Sequence, residues 1–154
     1  MNFADILKSQ REFFNSQKTK NLSFRKEQLK KLGEIIRKNE AFLCEEIYKD
    51  FGKSKYDTFT TEISFILKDI EFYSKNLNKL SKPKSKATNI VNMPGRSRVH
   101  YDPLGCTLVI GAWNYPYQLS LSPMVAAMAA GNCCILKPSE VAEHTMKAMA
   151  KIIN

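Results

Sequence analysis

The chain contains no apolar run near the roughly 20 residues that a membrane-crossing helix needs. Its first residues, MNFADILKSQ, also lack the basic-then-apolar pattern of a secretory leader. The expected location is cytoplasmic, with no membrane segment. Histidine is scarce, and neither His100 nor His144 has a visible partner for metal ligation or general-base work. The four cysteines, Cys44, Cys106, Cys133 and Cys134, show no CxxC or Cys/His ligand spacing. A nucleophilic thiolate needs an electropositive, partly exposed setting. The three late cysteines lie in apolar strands instead, so buried, reduced thiols are the expectation.

Acidic residues are the minority, which leaves a net charge of +9. A nucleic-acid partner would require that charge to be concentrated, yet residues 101–154 hold three basic residues (Lys137, Lys147, Lys151) and three acidic ones (Asp102, Glu140, Glu143). The whole excess lies in the first 100 residues, where lysines alternate with acids along helices and gather only at Lys82, Lys84 and Lys86. With no groove-reading motif and no interleaved aromatic platform, this reads as a solvated basic face, and no nucleic-acid partner is expected. At 44% hydrophobic and 25% charged residues, the composition suits a soluble domain with a real core.

The first half is helical by spacing. Phe3, Ile6, Leu7, Phe13 and Phe14 fall on one face over about Asn2–Gln17. Ser23 is placed to cap a second helix with the stripe Leu29, Leu32, Ile35 and Ile36, and Asn39 to cap a third carrying Phe42, Leu43 and Ile47. Gly52 supplies the stop. From about Thr58 a longer helix carries Ile63, Ile66, Leu67, Ile70, Tyr73 and Leu77. Ser81–Ala87 then breaks the pattern and reads as a linker. A short strand over Thr88–Val91, a turn at Met93-Pro94-Gly95 and a second strand over Arg96–Tyr101 form a β arm.

The remainder reads as most of a βαβ unit. Cys106–Ile110 is an unbroken apolar run, the pattern of a strand covered on both faces of a parallel sheet. Gln118–Ala130 is a small-residue helix closed by Gly131, Asn132–Leu136 is a second buried strand, and a further helix begins at about Val141. A sheet of two strands leaves an open edge and a bare apolar face. The expectation is therefore a larger protein or a truncated product. The fold class is α/β: N-terminal helices (1–87), a short β hairpin arm (88–102), and the incomplete start of a Rossmann-like doubly wound parallel sheet (103–154).

Such units bind ligands beyond the carboxyl ends of their strands. Polar residues stand at both ends. No GxGxxG follows the first strand, so the usual pyrophosphate cradle is not supported, and Gly111-Ala112-Trp113-Asn114 takes its place. Asn114 can donate a hydrogen bond to an oxygen gaining charge, although spacing alone favours a turn-stabilising asparagine. Pro116 fixes the backbone just after it. Lys137 and Glu140 can hydrogen-bond the vicinal hydroxyls of a sugar; equally, they can form a local ion pair beside a last helix capped by Ser139.

Taken in order, PLG before the first strand, WNYP after it, AAGN at the close of the helix and KPSE after the second strand resemble the aldehyde dehydrogenase superfamily. The Gly111–Pro116 wording is similar to its class 3, fatty-aldehyde type. The looser likeness of FRKEQLKKL and KDFGKS extends this over the whole chain, as the N-terminal third of such a protein. The resemblance implies an enzyme that oxidises aldehydes with NAD or NADP. It implies that Asn114 contributes to an oxyanion hole, that Lys137 and Glu140 hold the adenosine ribose, and that Ala112, Trp113 and Tyr115 line the space between cofactor and aldehyde. It makes residues 88–101 an oligomerisation arm, hence a homodimer when full length. The family's nucleophilic cysteine and general-base glutamate have no match here, so the chain alone is expected to be inactive. A non-catalytic remnant or a subunit-interaction module is the alternative.

Overall fold

The structure, a computed structural model, describes residues 2–154. Helix α1 (Phe3–Asn15) is capped by Asn2, whose side chain accepts from the Ala4 N–H. No residue of α1 is buried, and its stripe is only half covered, at Ile6, Leu7 and Phe14. Helix α2 (Leu22–Lys38) is capped by Asn21 rather than Ser23: the Asn21 carbonyl accepts from the N–H groups of Ser23 at 2.8 Å and Phe24 at 3.2 Å. The acceptor is the side-chain Oδ1 of Asn21; both residue types cap well, and the role falls to the one whose backbone is still extended. Asn39 stands at the start of α3 (Glu40–Phe51) as expected, but its amide donates back to the Ile35 carbonyl at 2.8 Å and so closes α2 instead of opening α3. Gly52, at φ 64°, ends α3 as expected.

The next helix begins before Thr58. Ser54 caps α4 (Lys55–Thr58), the chain continues through a wide π turn at Phe59–Ile63, and α5 (Ser64–Leu80) follows without interruption. The stretch read as a linker contains strand β1 (Lys84–Lys86), which pairs antiparallel with β2 (Ser97–Val99). Thr88–Val91 is not a strand. Ile90–Asn92 forms a 3-10 turn at the tip, and the Thr88 hydroxyl accepts from the Ser97 N–H at 2.9 Å. Nearly all of this arm is exposed, so no buried face imposes a period-two pattern that would reveal which residues pair.

Strand β3 (Cys106–Ile110) runs parallel to β4 (Cys133–Lys137), with Cys106 opposite Cys133 and Ile110 opposite Lys137. Between them α6 (Pro116–Ala130) starts two residues before Gln118, because proline at the first helical position already has a helical φ and needs no N–H partner. Gly131 ends α6 at φ 90°; a Cβ there would collide with the Arg25 guanidinium. Helix α7 (Glu143–Ile153) starts later than Val141, and the Ser139 hydroxyl accepts from the Val141 N–H at 3.3 Å within the turn, without capping the helix.

Helix α6 is the centre of the core. Its Tyr117, Leu121 and Val125 are fully buried, as are Leu29, Ile36, Ile47, Ile63 and Ile66 from the helices around it. Each such side chain contributes about 1.5–3 kcal/mol by leaving water. The sheet differs from the expectation of cover on both faces. Leu108 and Ile110 share one face of β3 by the period of two and remain 60% and 67% exposed. The unbroken apolar run reports that both faces are apolar, but what lies on each face is decided by the helices that reach it.

Candidate functional site

The parallel register brings the candidate residues to one end of the sheet. Ile110 and Lys137 are paired, and the Gly111 N–H extends the ladder by donating to the Lys137 carbonyl at 2.9 Å. The two polar loops therefore leave the sheet at the same end. Gly111 is buried against α6, and a Cβ on it would strike the Ser120 hydroxyl, so only glycine permits this approach. The chain then opens outward: Ala112, Trp113, Asn114 and Tyr115 are all exposed, and Pro116 returns to the interior. None of the described side-chain hydrogen bonds involves Asn114, which leaves its amide facing outward without a turn-stabilising contact.

Aromatic and cationic groups flank this loop. The Trp113 ring lies 6.4 Å from that of Phe51 at the end of α3, and the Lys53 ammonium sits 4.4 Å from the centroid of the Tyr115 ring. The same ammonium is 2.5 Å from Glu62 Oε1. The other oxygen of Glu62 accepts from the N–H groups of Tyr117 at 2.8 Å and Gln118 at 3.2 Å, in the first turn of α6. Tyr117 is locked in turn by its hydroxyl, which donates to the Leu43 carbonyl at 2.8 Å; burial, reinforced by the Glu62 charge, pushes that phenol's pKa far up.

Across the register, the Lys137 ammonium lies 2.5 Å from Glu140 Oε1, with side chains 50% and 74% exposed. The hydrogen bond from Lys137 holds the Glu140 carboxyl below the usual carboxylate range. The local ion pair weighed against the sugar-binding reading is thus formed, but a pair this exposed adds little to stability. The remaining N–H donors of Lys137 and the second carboxylate oxygen of Glu140 stay accessible.

Sequence reasoning passed over three residues that build the surroundings. Glu62 falls on the apolar stripe of its helix, eight residues before Ile70 and four before Ile66, and a carboxylate on a buried stripe is the signal that was there to read. Lys53 and Asp50 gave no such signal. Asp50 caps α7 from a distance, accepting from the His144 N–H at 3.0 Å, the Thr145 N–H at 2.7 Å and the Thr145 hydroxyl at 2.6 Å. Burial raises its pKa, but the bonds from Thr145 and His144 outweigh that and hold it below its ordinary value. His144, read as partnerless, has its Nδ1 3.5 Å from Glu46 Oε2.

The cysteines do not join the site. Cys44 and Cys133 are buried and Cys106 and Cys134 half-buried, and burial pushes all four thiols up, away from the thiolate. Among the described residues no cluster of three metal-ligating side chains occurs, and no helix is long and apolar enough to cross a membrane. What remains is an outward amide at one strand end and an accessible cation–carboxylate pair at the next. Together they suit a polar ligand lying across the ends of the two strands.

Comparison with known proteins identifies the family and the fold. Residues 2–154 match the aldehyde dehydrogenase family. The chain is 42% identical over 142 residues to 4,4'-diaponeurosporen-aldehyde dehydrogenase of Staphylococcus aureus (strain NCTC 8325 / PS 47), covering 92% of this chain and 31% of that protein. It is 38% identical to the rat "aldehyde dehydrogenase, dimeric NADP-preferring", covering 97% of this chain and 33% of that one. A solved structure described as the substrate-bound state of Staphylococcus aureus AldH superposes with a TM-score of 0.95 at 39% identity, over 100% of this chain and 34% of that one. The fold alone extends further, to the succinic semialdehyde dehydrogenase of Streptococcus pyogenes in complex with NADP+, at TM-score 0.84 and 19% identity, over 97% of this chain and 32% of that one. The chain thus spans about a third of the length of these relatives. On the match over its whole described length, the chain belongs to the aldehyde dehydrogenase family, and it corresponds to that family's N-terminal part.

Proposed function

We propose that this chain forms one half of the active site of an NAD(P)-dependent aldehyde dehydrogenase: the oxyanion amide and the hold on the adenosine ribose. The observation that carries this is the pairing of Ile110 with Lys137, which brings the Asn114 loop and the Lys137–Glu140 turn to one end of a parallel sheet. Asn114 donates its side-chain amide to the oxygen that gains charge when a thiolate adds to the aldehyde. Lys137 donates to, and Glu140 accepts from, the vicinal hydroxyls of the ribose. Both side chains are exposed and have polar atoms not used in their mutual hydrogen bond, which can meet a diol, and the lack of a GxGxxG turn means that this segment does not cradle the pyrophosphate in the usual way. When bound, the nicotinamide cofactor accepts the hydride. Ala112, Trp113 and Tyr115 line the space between cofactor and aldehyde.

The bond-making cysteine and the base that deacylates the thioester are supplied by residues outside this chain, and the 154 residues alone do not oxidise aldehydes. The raised thiol pKa of every described cysteine supports this. Glu140 would repel a 2′-phosphate, yet the rat relative is named NADP-preferring, so the reading stays with NAD or NADP. The hairpin arm supports a homodimer through its exposed Ile90, Val91 and Met93.

The test is a chimera in which residues 2–154 replace the matching part of the Staphylococcus aureus relative. Asn114→Ala should lower kcat by about 10²–10³ while cofactor affinity holds. Unchanged turnover in that variant would remove Asn114 from the oxyanion role, and a cleanly folded but inactive wild-type chimera would count against the whole reading.

A further inference from the structure

Glu62 is a fully buried carboxylate on a helix whose neighbours are isoleucines. Removing such a charge from water costs several kcal/mol unless its partners are well placed, and an apolar side chain would fill the position at less cost. Its partners are few and specific. One oxygen meets Lys53, whose side chain is only 17% exposed, and the other takes the Tyr117 and Gln118 N–H groups. Tyr115, where a capping side chain would ordinarily stand, makes no cap hydrogen bond, so Glu62 closes the start of α6 from 55 residues away. The π turn at Phe59–Ile63 is the irregularity that carries it.

The same ammonium that neutralises Glu62 also lies over Tyr115, at 4.4 Å. The loop is thereby fastened at its last residue, Tyr115, by the Lys53 cation and just beyond it, at Tyr117, by the Glu62 carboxylate, with Asn114 next in line. We propose that Glu62 and Lys53 are positioning residues for the Asn114 amide, holding Trp113–Tyr115 in one conformation at the strand end. This rests on the reading of Asn114 as the oxyanion donor, since an amide aimed at developing charge must be held within about 0.5 Å of its place. Neither residue touches the reacting atoms.

Trp113 is the sole tryptophan and sits inside the fastened segment, so its fluorescence reports the loop directly in the 154-residue chain. In Glu62→Ala, iodide quenching should rise by up to about twofold, because Trp113 moves from 55% exposed toward full exposure, while far-UV circular dichroism keeps its helical signal. The double variant Glu62→Gln/Lys53→Met retains an oxygen acceptor for the two N–H groups without a buried charge but lacks the cation over Tyr115, so its quenching should fall between those of wild type and Glu62→Ala. Lys53→Met alone loses both the counter-charge of Glu62 and the cation over Tyr115, so it should also raise quenching. Wild-type quenching in a helical Glu62→Ala overturns the proposal. Should that variant lose its helical signal, wild-type quenching in Lys53→Met overturns it instead. Turnover of Asn114→Ala in the chimera tests the reading beneath the proposal; quenching does not depend on turnover, so either result can fail alone.

Discussion

Replacing Asp50 should loosen α7, and the structure sets the size of the effect. Asp50 stands at the end of α3 and receives three hydrogen bonds from the first turn of α7. His144 is exposed, so water can replace Asp50 at its N–H, whereas Thr145 is fully buried and its N–H and hydroxyl would both be stranded. Leaving a buried donor unsatisfied costs about 1–3 kcal/mol, and losing an N-cap costs about 0.5–2 kcal/mol; the two overlap here. Asp50→Ala should therefore destabilise α7 by about 2–4 kcal/mol, and Asp50→Asn, which keeps one acceptor, by about half as much. The pH dependence has a definite sign. A carboxylate held below its unfolded pKa of about 3.9 contributes stability that is present above that pH and is lost as pH falls through the folded value. Acidification below about pH 4 should thus narrow the gap between wild type and Asp50→Asn. Amide hydrogen exchange of residues 143–153 measures this, with urea melts at pH 7 and pH 3 as the global control. Exchange in Asp50→Ala within about 0.5 kcal/mol of wild type at pH 7 would refute the capping argument. It matters for the site because α7 follows the Lys137–Glu140 turn directly, and Asp50 ties the far side of that turn to α3.

Lys137→Ala should weaken NAD(P) binding in the chimera by roughly tenfold, the loss of one charge-assisted hydrogen bond, with kcat at saturating cofactor unchanged; isothermal titration checks it. Gly131→Ala places a side chain at φ 90° and against the Arg25 guanidinium, which donates to the carbonyls of Thr19, Lys20 and Ala129. A loss of about 2–4 kcal/mol is expected in a denaturant melt, and a neutral result would mean that Arg25 moves freely. The exposed Leu108 and Ile110 should make the isolated chain bind ANS and self-associate. Leu108→Ser/Ile110→Ser should reduce both without lowering the melting temperature, and unchanged ANS fluorescence would place the sticky surface elsewhere. Thiol titration with a disulfide reagent at pH 7.5 should find Cys44 and Cys133 slowest, in keeping with their burial.

The sequence by itself determined whatever depends on neighbours within a few residues. The stripes at Leu29–Leu32–Ile36 and Ile66–Ile70–Leu77 follow from helical periodicity, and the ends at Gly52 and Gly131 from the left-handed backbone that glycine adopts without strain. The apolar runs CTLVI and CCILK became the paired strands, and the ordered PLG, WNYP, AAGN and KPSE pieces pointed to the family and placed Asn114, Lys137 and Glu140 at strand ends. The bounds that slipped were those with near-equivalent local choices, such as Asn21 against Ser23, or with no buried face to read, as in the Lys84–Lys86 strand. Only the tertiary structure decided which distant groups meet. Glu62 reaches α6, Asp50 reaches α7 and Lys53 joins Glu62 to Tyr115, because helices set by many small packing contacts bring groups 55 to 95 residues apart within hydrogen-bond or cation–π range. No local pattern carries that information, since a hydrogen bond depends on position to a fraction of an ångström, whereas burial patterns record only which side of an element faces inward. The outward aim of Asn114 belongs to the same class: the residue was legible, and the groups that hold it were not.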